Sequence, residues 1–316
     1  RAGRVPAFGT PRVGLRKDDM PLIDLRDHGR YDYVPLPDRP AFTWPDGKRL
    51  AFYVCNNIEV FSFREGLGSD SATVGAPQTS RNYAWRDYGN RVGQWYTFDL
   101  LDELGLPAAS NFNSLLFDTC PQIADRMMQR GDEFVGHGRT NAERQDVLTA
   151  EEEKALIVQS RDAIRDYTGT APRGWMGPWL AETDQTLDLL REAGFDYVMD
   201  WPADDQPFWM KTRAGPLLSV PYSIEINDSP VMAYRQQSHL DFERMIVDQF
   251  DEMLEQSQKY PLVCSVILHS FVAGQPYRLR ALRRALRHVL AHRDDIWITT
   301  PGGIATHYAG LSRPGA

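Results

Sequence analysis

The chain has 316 residues, 42% hydrophobic and 25% charged, an ordinary composition for a globular protein that buries a core without disulfide or metal cross-links. Its formal net charge is −8, and outside 278–287 it has no basic run long enough to bind a polyanion, which excludes nucleic acid as an expected partner. No apolar run approaches the roughly 18 residues of a membrane helix, so we expect no membrane partner and a cytoplasmic location.

An extended N-terminal arm is predicted over residues 1–48, because this stretch contains seven prolines and shows little hydrophobic periodicity. Such an arm either wraps its own domain or reaches a neighbouring subunit, and the sequence leaves both options open. The remaining residues, 49–316, are predicted to form one domain.

From Arg49 onward, strand-like apolar runs alternate with helix-like segments, which is typical of a mainly parallel sheet. Strands are predicted near 50–58, 108–113, 132–137, 172–177, 195–200, 217–222, 263–269 and 296–300. Helices are predicted near 89–104, 120–130, 149–167 (with Thr149 as N-cap), 183–193, 239–258 and 276–291. This order favours an α/β fold, a distorted (β/α) barrel of about seven parallel strands, over an open doubly wound sheet.

Glu59 ends the first apolar run, directly after Asn56, Asn57 and Ile58. In a parallel barrel the catalytic residues lie where strands end and loops begin. A carboxylate in such a pocket can bind a metal ion, or act as a general base with its pKa raised by desolvation. A solvated strand terminus is the alternative.

His137 lies between two glycines at the end of another short apolar run. The flanking glycines let backbone and substrate approach the imidazole, and Asn141 or Glu143 can face the same space. A single histidine is usually structural, but the strand-end position favours a functional role here.

The segment 172–179 reads as a rigid aromatic turn with one arginine. Trp175 and Trp179 could form the walls of a site for a planar ligand, and Arg173 could pair with a carboxylate. A turn that only packs in the core explains the same residues equally well.

Three further groups follow along the chain. Asp200, followed by Trp201, ends a strand and could orient a histidine or an arginine, whereas the polar stretch 225–228 ranks lower because acidic loops are common. His269 ends the run 263–269 and is placed like a general acid that protonates a leaving amine or stabilises an oxyanion.

Several kinds of chemistry are disfavoured. No Gly-x-Ser-x-Gly elbow and no well-placed cysteine nucleophile is present, so an activated water is the remaining hydrolytic route. No Gly-rich phosphate loop follows the first strand, so no nucleotide cofactor is expected.

Taken in this order, the motifs resemble the polysaccharide deacetylase superfamily over roughly residues 45–300, and within it the branch of metal-independent bacterial allantoinases and cyclic-imide hydrolases. The resemblance implies a distorted barrel whose strand ends present a metal-binding acid, a His-x-x-x-His pair, an Arg-Pro motif, an Asp-Trp motif and a Leu-His motif. The matching positions are Glu59, His137 with Asn141, 172–175, Asp200 with Trp201, and Leu268 with His269.

The chain departs from the family pattern at two places that concern the metal. The usual Thr-Phe-Asp-Asp-Gly segment is replaced by 56–59, and Asn141 stands where the second histidine is expected. Loss of a nitrogen ligand weakens the case for one divalent ion such as zinc, although Glu59 and His137 could still bind one with Asn141 or Glu143 as a poorer third ligand. Without a metal, Glu59 would be the base for water, and His137 and His269 would bind or protonate the substrate.

The resemblance and its departures favour a hydrolase of non-peptide C–N bonds in a small amide, ureide or cyclic imide. The alternatives are a metal-dependent deacetylase of an N-acetylated sugar or small amine, and a non-catalytic binding protein on a decayed barrel. A homo-oligomer is also expected. The predicted catalytic residues are Glu59, His137, His269 and Asp200, and the predicted substrate contacts are Asn57, Asn141, Arg173, Trp175, Trp179 and Trp201.

Overall fold

The computed structural model of the chain describes residues 27–66 and 76–311. Its centre is one curled sheet of mostly parallel strands with the order β6-β7-β5-β4-β3-β2-β1-β8, and β9 also pairs with β1. Among the strand pairs of these described residues, only β6–β7 is antiparallel. The strands are β1 Leu50–Ile58, β2 Ala108–Phe112, β3 Glu133–Gly136, β4 Gly174–Trp175, β5 Tyr197–Val198, β6 Phe208–Met210, β7 Leu217–Ser219, β8 Leu262–His269 and β9 Ile296–Ile298.

Helices connect the parallel strands, which confirms the predicted α/β fold and the distorted (β/α) barrel. They are α1 Ser80–Tyr88, α2 Gln94–Leu104, α3 Leu116–Thr119, α4 Pro121–Arg130, α5 Ala150–Thr168, α6 Thr186–Glu192, α7 His239–Gln256, α8 Pro276–Ala291 and α9 Pro301–Leu311. A π-helical turn, Gly89–Gly93, joins α1 to α2. None of these helices is both long and apolar enough to span a lipid bilayer.

The central strands are buried on both faces, as parallel sheets require. Alternate residues of β1 face opposite layers, because side chains of a strand have a period of two. Leu50, Phe52 and Val54 pack outward against helices, whereas Ala51, Tyr53 and Cys55 pack inward. The same inward cluster contains Val135 of β3 and Val263 and Ile267 of β8.

The end strand β8 and the loop that follows β7, the second strand from the other end of the sheet, are joined by loop contacts rather than by a regular ladder. Asn227 forms an isolated parallel bridge with Ile267, whose N–H donates to the carbonyl of Ile226 at 3.0 Å. The N–H of Ser223 donates to the hydroxyl of Ser265 at 3.1 Å. The barrel is therefore nearly closed, and the loop after β7 lies close to the end of β8.

Part of the predicted arm lies against its own barrel. Trp44 is 1% exposed, and its indole N–H donates to the carbonyl of Leu262 at 2.9 Å. The N–H of Lys211 donates to the carbonyl of Arg30 at 2.6 Å. Residues 1–26 of the arm lie outside the described residues, so the domain division at residue 48 stays a prediction.

Four elements were not predicted from the sequence, among them the four-residue helix α3. In α1 the buried positions are polar, Asn82 and Arg86, so the helix has no apolar stripe to reveal it. The Pro-Gly-Gly start of α9 is typical of a turn, and β6 has only three residues. The capping box at Thr149 is present as predicted, because its side chain and that of Glu152 each accept the other's backbone N–H.

Candidate active site

The C-terminal ends of the strands surround a cavity of about 310 Å³. Glu59 follows β1, His137 follows β3 and His269 ends β8. All three continue the inward alternation of their strands, which explains why distant positions in sequence meet here. The cavity is lined by Asn57, Glu59, Phe61, Arg86, His137, Asn141, Met176, Trp179, Leu180, Tyr222, Asn227, Ser229, Pro230, Tyr234, His269 and Phe271.

One carboxylate oxygen faces two imidazoles at the centre of this cavity. Oε1 of Glu59 is 3.6 Å from Nε2 of His137 and 3.5 Å from Nε2 of His269. The exposed fraction of the Glu59 side chain is 6%, and that of the His137 side chain is 1%. The three groups therefore interact in surroundings that screen charge poorly.

His269 is held by a second carboxylate on its far side. Its Nδ1 lies 2.8 Å from Oδ1 of Asp228, and Oδ2 of Asp228 accepts the N–H groups of His269 at 2.8 Å and of Ala273 at 3.0 Å. Burial alone would lower the pKa of His269, but the charge of Glu59 and the hydrogen bond to Asp228 raise it to about 10. At neutral pH the imidazole is therefore a cation.

The two ring nitrogens of His137 have different surroundings, and Nε2 is the one that faces the cavity. Its Nδ1 is 2.6 Å from the carbonyl oxygen of Met176, so this nitrogen must carry the proton and donate. In the described part of the chain Nε2 has no hydrogen-bond partner. Nε2 of His137 thus faces the Glu59 carboxylate and the cavity.

Glu59 is held as a carboxylate. Burial alone would raise its pKa, but the charge of His269 and the close approach of both imidazoles outweigh burial and lower the pKa well below its ordinary range. The expectation of a pKa raised by desolvation is therefore wrong in direction, because it took no account of the two facing histidines.

Asn141 lines the cavity and holds its wall together through hydrogen bonds. Its Oδ1 accepts from Nδ2 of Asn113 at 3.0 Å, and its carbonyl accepts the indole N–H of Trp179 at 3.0 Å. Asn113 also accepts the N–H of Val60 at 2.9 Å, so one amide ties the loop after β1 to the loop after β3. Trp179, with φ 66°, is fixed in an otherwise strained backbone conformation by this contact.

Asn57 forms the floor below Glu59. Its Nδ2 donates to the hydroxyl of Tyr222 at 3.1 Å and to the carbonyl of Leu268 at 3.2 Å. Its Oδ1 accepts from Nδ2 of Asn111 at 2.8 Å. These contacts fix the end of β1 against its neighbours, so Asn57 orients the site as well as lining it.

The predicted divalent ion requires donors that converge. Oε1 of Glu59 and Nε2 of His137 are close enough to bind the same ion. Among the described residues, however, no third Asp, Glu, Cys or His places a donor atom within 4.8 Å of both of these atoms. Asn141, the tentative third ligand, uses its Oδ1 to accept from Asn113. These side chains do not form a complete zinc site.

Three predicted substrate contacts lie away from the cavity. Arg173 precedes β4 at the opposite rim, where it donates to Asp196 and to Thr306, each at 2.7 Å. Trp175 has the outward parity of β4 and is fully buried against Phe195. Trp201 donates to Glu182 at 2.8 Å, outside the cavity wall. The alternation of side chains along a strand could have identified Trp175 as outward-facing, because the next residue takes the inward position.

Among the residues that the structure describes, Asp200 has no histidine or arginine as a hydrogen-bond partner. Its Oδ1 accepts the N–H of Gly177 at 2.8 Å, so it holds the turn that carries Trp179. Burial and the negative charge of Glu182 raise the pKa of Asp200 well above its ordinary range, and burial raises the pKa of Glu182 to about 7. The two carboxyl groups therefore keep a proton at neutral pH.

Asp228, rather than Asp200 as predicted, is the carboxylate that orients a histidine of the site. The polar stretch 225–228 was ranked low because acidic loops are common, and Asp228 and His269 are 41 positions apart. The near closure of the barrel brings them together, so no local pattern could have revealed the pair. Arg86 was also missed, although its guanidinium carbon lies 3.6 Å from the ring centre of Phe61 in the cavity wall.

Comparisons with known proteins agree with this architecture. Residues 85–198 match the family described as Polysaccharide deacetylase. A peptidoglycan deacetylase of Helicobacter pylori is 25% identical over 278 residues, which cover 78% of this chain and 92% of that protein. The family resemblance expected from the sequence is confirmed.

Two solved structures share the fold. The PuuE allantoinase has a TM-score of 0.80 at 24% identity, covering 89% of this chain and 98% of that one. A protein of Pseudomonas aeruginosa PAO1, named as a probable polysaccharide deacetylase, has a TM-score of 0.79 at 24% identity, covering 86% and 95%.

Proposed function

We propose that this chain, which contains a polysaccharide deacetylase domain, hydrolyses a non-peptide C–N bond of a small amide, ureide or cyclic imide. The observation that carries the proposal is the single Glu59 oxygen that faces His137 and His269 in a small cavity. An ionised carboxylate beside two imidazoles, of which that of His269 is cationic, provides the groups needed to activate water and to protonate a leaving nitrogen.

In the proposed reaction a water molecule held by Glu59 and by Nε2 of His137 attacks the substrate carbonyl. A C–O bond forms, and the water proton passes to Glu59. In the same step His269 delivers its Nε2 proton to the departing nitrogen as the C–N bond breaks. Return of the proton from Glu59 to His269 restores the site, so the net change is the addition of one water across the C–N bond.

The low pKa of Glu59 is compatible with its proposed work as a base. Much of that lowering comes from the positive charge of His269. As His269 transfers its proton to the substrate, this charge disappears, and the pKa of Glu59 rises during the same step. Asp228 holds the resting cation, so the acid is charged before substrate arrives.

The cavity supports a small substrate. Its volume of about 310 Å³ lies at the lower end of ligand pockets in general, and its walls include Phe61, Trp179 and Phe271. Such walls suit a compact planar ring better than a polymer, which requires an open groove. An allantoinase is built on the same fold.

Deacetylation is the second candidate, because a relative that covers most of this chain is named a peptidoglycan deacetylase. It is also amide hydrolysis, so the same proton transfers would serve it. The two candidates differ in substrate rather than in bond type.

A substrate panel with a charge-removing variant tests the proposal. We expect ring opening of cyclic imides or ureides, and a loss of at least about 100-fold in kcat/KM in Glu59→Gln, because the base is removed. Glu225→Gln is the matched control, since Glu225 pairs with Arg235 outside the cavity. Activity confined to acetylated chitooligosaccharides would contradict the small-substrate proposal.

A further inference from the structure

A second group of metal-binding side chains lies on the helices outside the barrel. Asp251 belongs to α7, His288 to α8, and His292 directly follows α8. One ligand atom from each of the three lies within 4.8 Å of the others, which is true of no other Asp, Glu, Cys and His group among the described residues.

The local structure fixes these side chains in place. His288 and His292 are four residues apart, so they extend from the same face of the helix end. Phe250, which is fully buried, lies under both, with its ring centre 6.1 Å from His288 and 5.7 Å from His292. The two imidazoles are therefore supported from below and open to water above.

The donor types match zinc. Two imidazoles and one carboxylate form a common three-ligand zinc set whose fourth position is taken by water. Nε2 of His288 is 2.7 Å from Oδ1 of Asp251, a hydrogen bond that an ion would replace on releasing a proton. Nδ1 of His292 is 3.5 Å from Oδ2 of Asp295, a carboxylate placed to orient this ring with Nε2 outward.

Accessibility and charge also suit an ion taken from solution. The exposed side-chain fractions are 36% for His288, 50% for Asp251 and 38% for His292. Asp251 and Asp295 together bring two negative charges to the two imidazoles. An ion here would gain ligands and charge compensation without any change in the core.

The group is remote from the cavity. Helix α8 begins at Pro276, seven residues after the cavity residue His269, and His288 lies twelve residues further along the helix. At the rise of an α-helix this is about 18 Å along the axis, away from the cavity rim. An ion at this point would link α7 to α8 rather than take part in hydrolysis.

We propose that Asp251, His288 and His292 form a zinc-class metal site that ties the end of α7 to the end of α8. Binding would stabilise the folded chain by linkage, because the unfolded chain does not hold the three donors together.

Zinc titration of the chelator-stripped full chain tests this site. We expect wild type to bind zinc and to show a higher Tm with zinc, and His288→Ala or His292→Ala to bind at least about 10-fold more weakly and to lose the Tm increase. His239→Ala is the control, since His239 also joins α7 to α8 by packing on Tyr277, at 4.9 Å between ring centres, but is not part of the cluster.

Two further variants distinguish loss of the zinc site from loss of folding and from zinc binding in the cavity. His288→Gln retains a donor for Asp251 without an imidazole ligand, so it should fold normally and still lose the zinc effect. Glu59→Gln should leave the zinc affinity unchanged. Equal zinc affinity in wild type and His288→Gln, or loss of binding only in Glu59→Gln, would overturn the proposed site.

Discussion

His269 lies between two carboxylates, and this arrangement sets the pH range over which the proposed acid is charged. The pKa of His269 is raised to about 10, with Glu59 on one side and Asp228 on the other. Since the reaction needs the protonated imidazole, kcat/KM should stay high through neutral pH. It should fall as the pH rises through the raised pKa.

Asp228→Asn should move that alkaline limb to lower pH. The substitution removes one of the two negative charges that hold the proton, and its single amide oxygen replaces the two carboxylate oxygens that accept from Nδ1 and from the N–H groups of His269 and Ala273. The measurement is the pH profile of kcat/KM, with exposed Asp248→Asn on α7 as the control. An alkaline limb at the same pH in Asp228→Asn would show that Asp228 does not hold the charge of His269.

At the residue scale the sequence predicted the three groups that meet in the cavity, because each ends an apolar strand on the inward side. It did not predict which carboxylate supports His269. Asp200 follows a strand, as expected of a site residue, yet it bonds to Gly177, whereas Asp228 belongs to a loop whose position depends on how the barrel closes. Such contacts depend on tertiary packing, so the spacing of residues along the sequence does not predict them.

At the scale of elements, two glycines allow a close crossing beside His269. A Cβ on Gly274 would collide with the carbonyl oxygen of Ser270 and the backbone of Gly93. Gly93 ends the π-helical turn before α2, and the loop 270–274 follows β8 directly. The crossing thus fixes the loop that leaves His269 against the start of α2.

Gly274→Ala should destabilise the fold by about 1–3 kcal/mol, because backbone must move to admit the methyl group. The free energy of unfolding from denaturant titration is the measurement. Gly310→Ala is the matched control, since a Cβ there meets nothing within 4 Å and Gly310 lies in α9. A Gly274→Ala chain as stable as Gly310→Ala would mean that the crossing can relax freely.

The elements themselves were predicted well where an apolar stripe or strand exposes a periodic pattern. Helices α4, α7 and α8 begin and end within two residues of expectation, and β1 and β8 nearly coincide with it. Helix α1 was missed because its buried face carries Asn82 and Arg86. A helix that buries polar side chains beside a functional cavity has no hydrophobic signature.

At the scale of the whole molecule, Trp44 joins the N-terminal segment to the barrel. It is 1% exposed and packs on Phe42 and Trp297, with ring centres 5.0 and 5.6 Å away. Trp44→Ala should therefore cost about 3–5 kcal/mol of unfolding free energy, as expected for a large buried side chain. Exposed Tyr33→Ala serves as the control. A loss below about 1 kcal/mol would indicate a separable arm up to residue 48.

The response to chelators is a second whole-molecule prediction. We expect the chelator-treated protein to keep the proposed hydrolytic activity, because in the described residues no third Asp, Glu, Cys or His places a donor atom within 4.8 Å of both Glu59 and His137. Activity before and after treatment is compared in His288→Gln, so that zinc on α7 and α8 does not obscure the result. Activity lost on chelation and restored by zinc in that variant would place a working ion in the cavity.

The long pairing of β1 with β8 has a consequence for redesign. Eight residue pairs join these strands, from Leu50 with Leu262 to Asn57 with His269, so backbone hydrogen bonds set the spacing of Glu59 and His269. Trp179 and Tyr234, in contrast, line the cavity from two short helical turns, Pro178–Leu180 and Ser229–Tyr234. A mutant library confined to those turns could search new substrates while the proton-transfer pair stays in register.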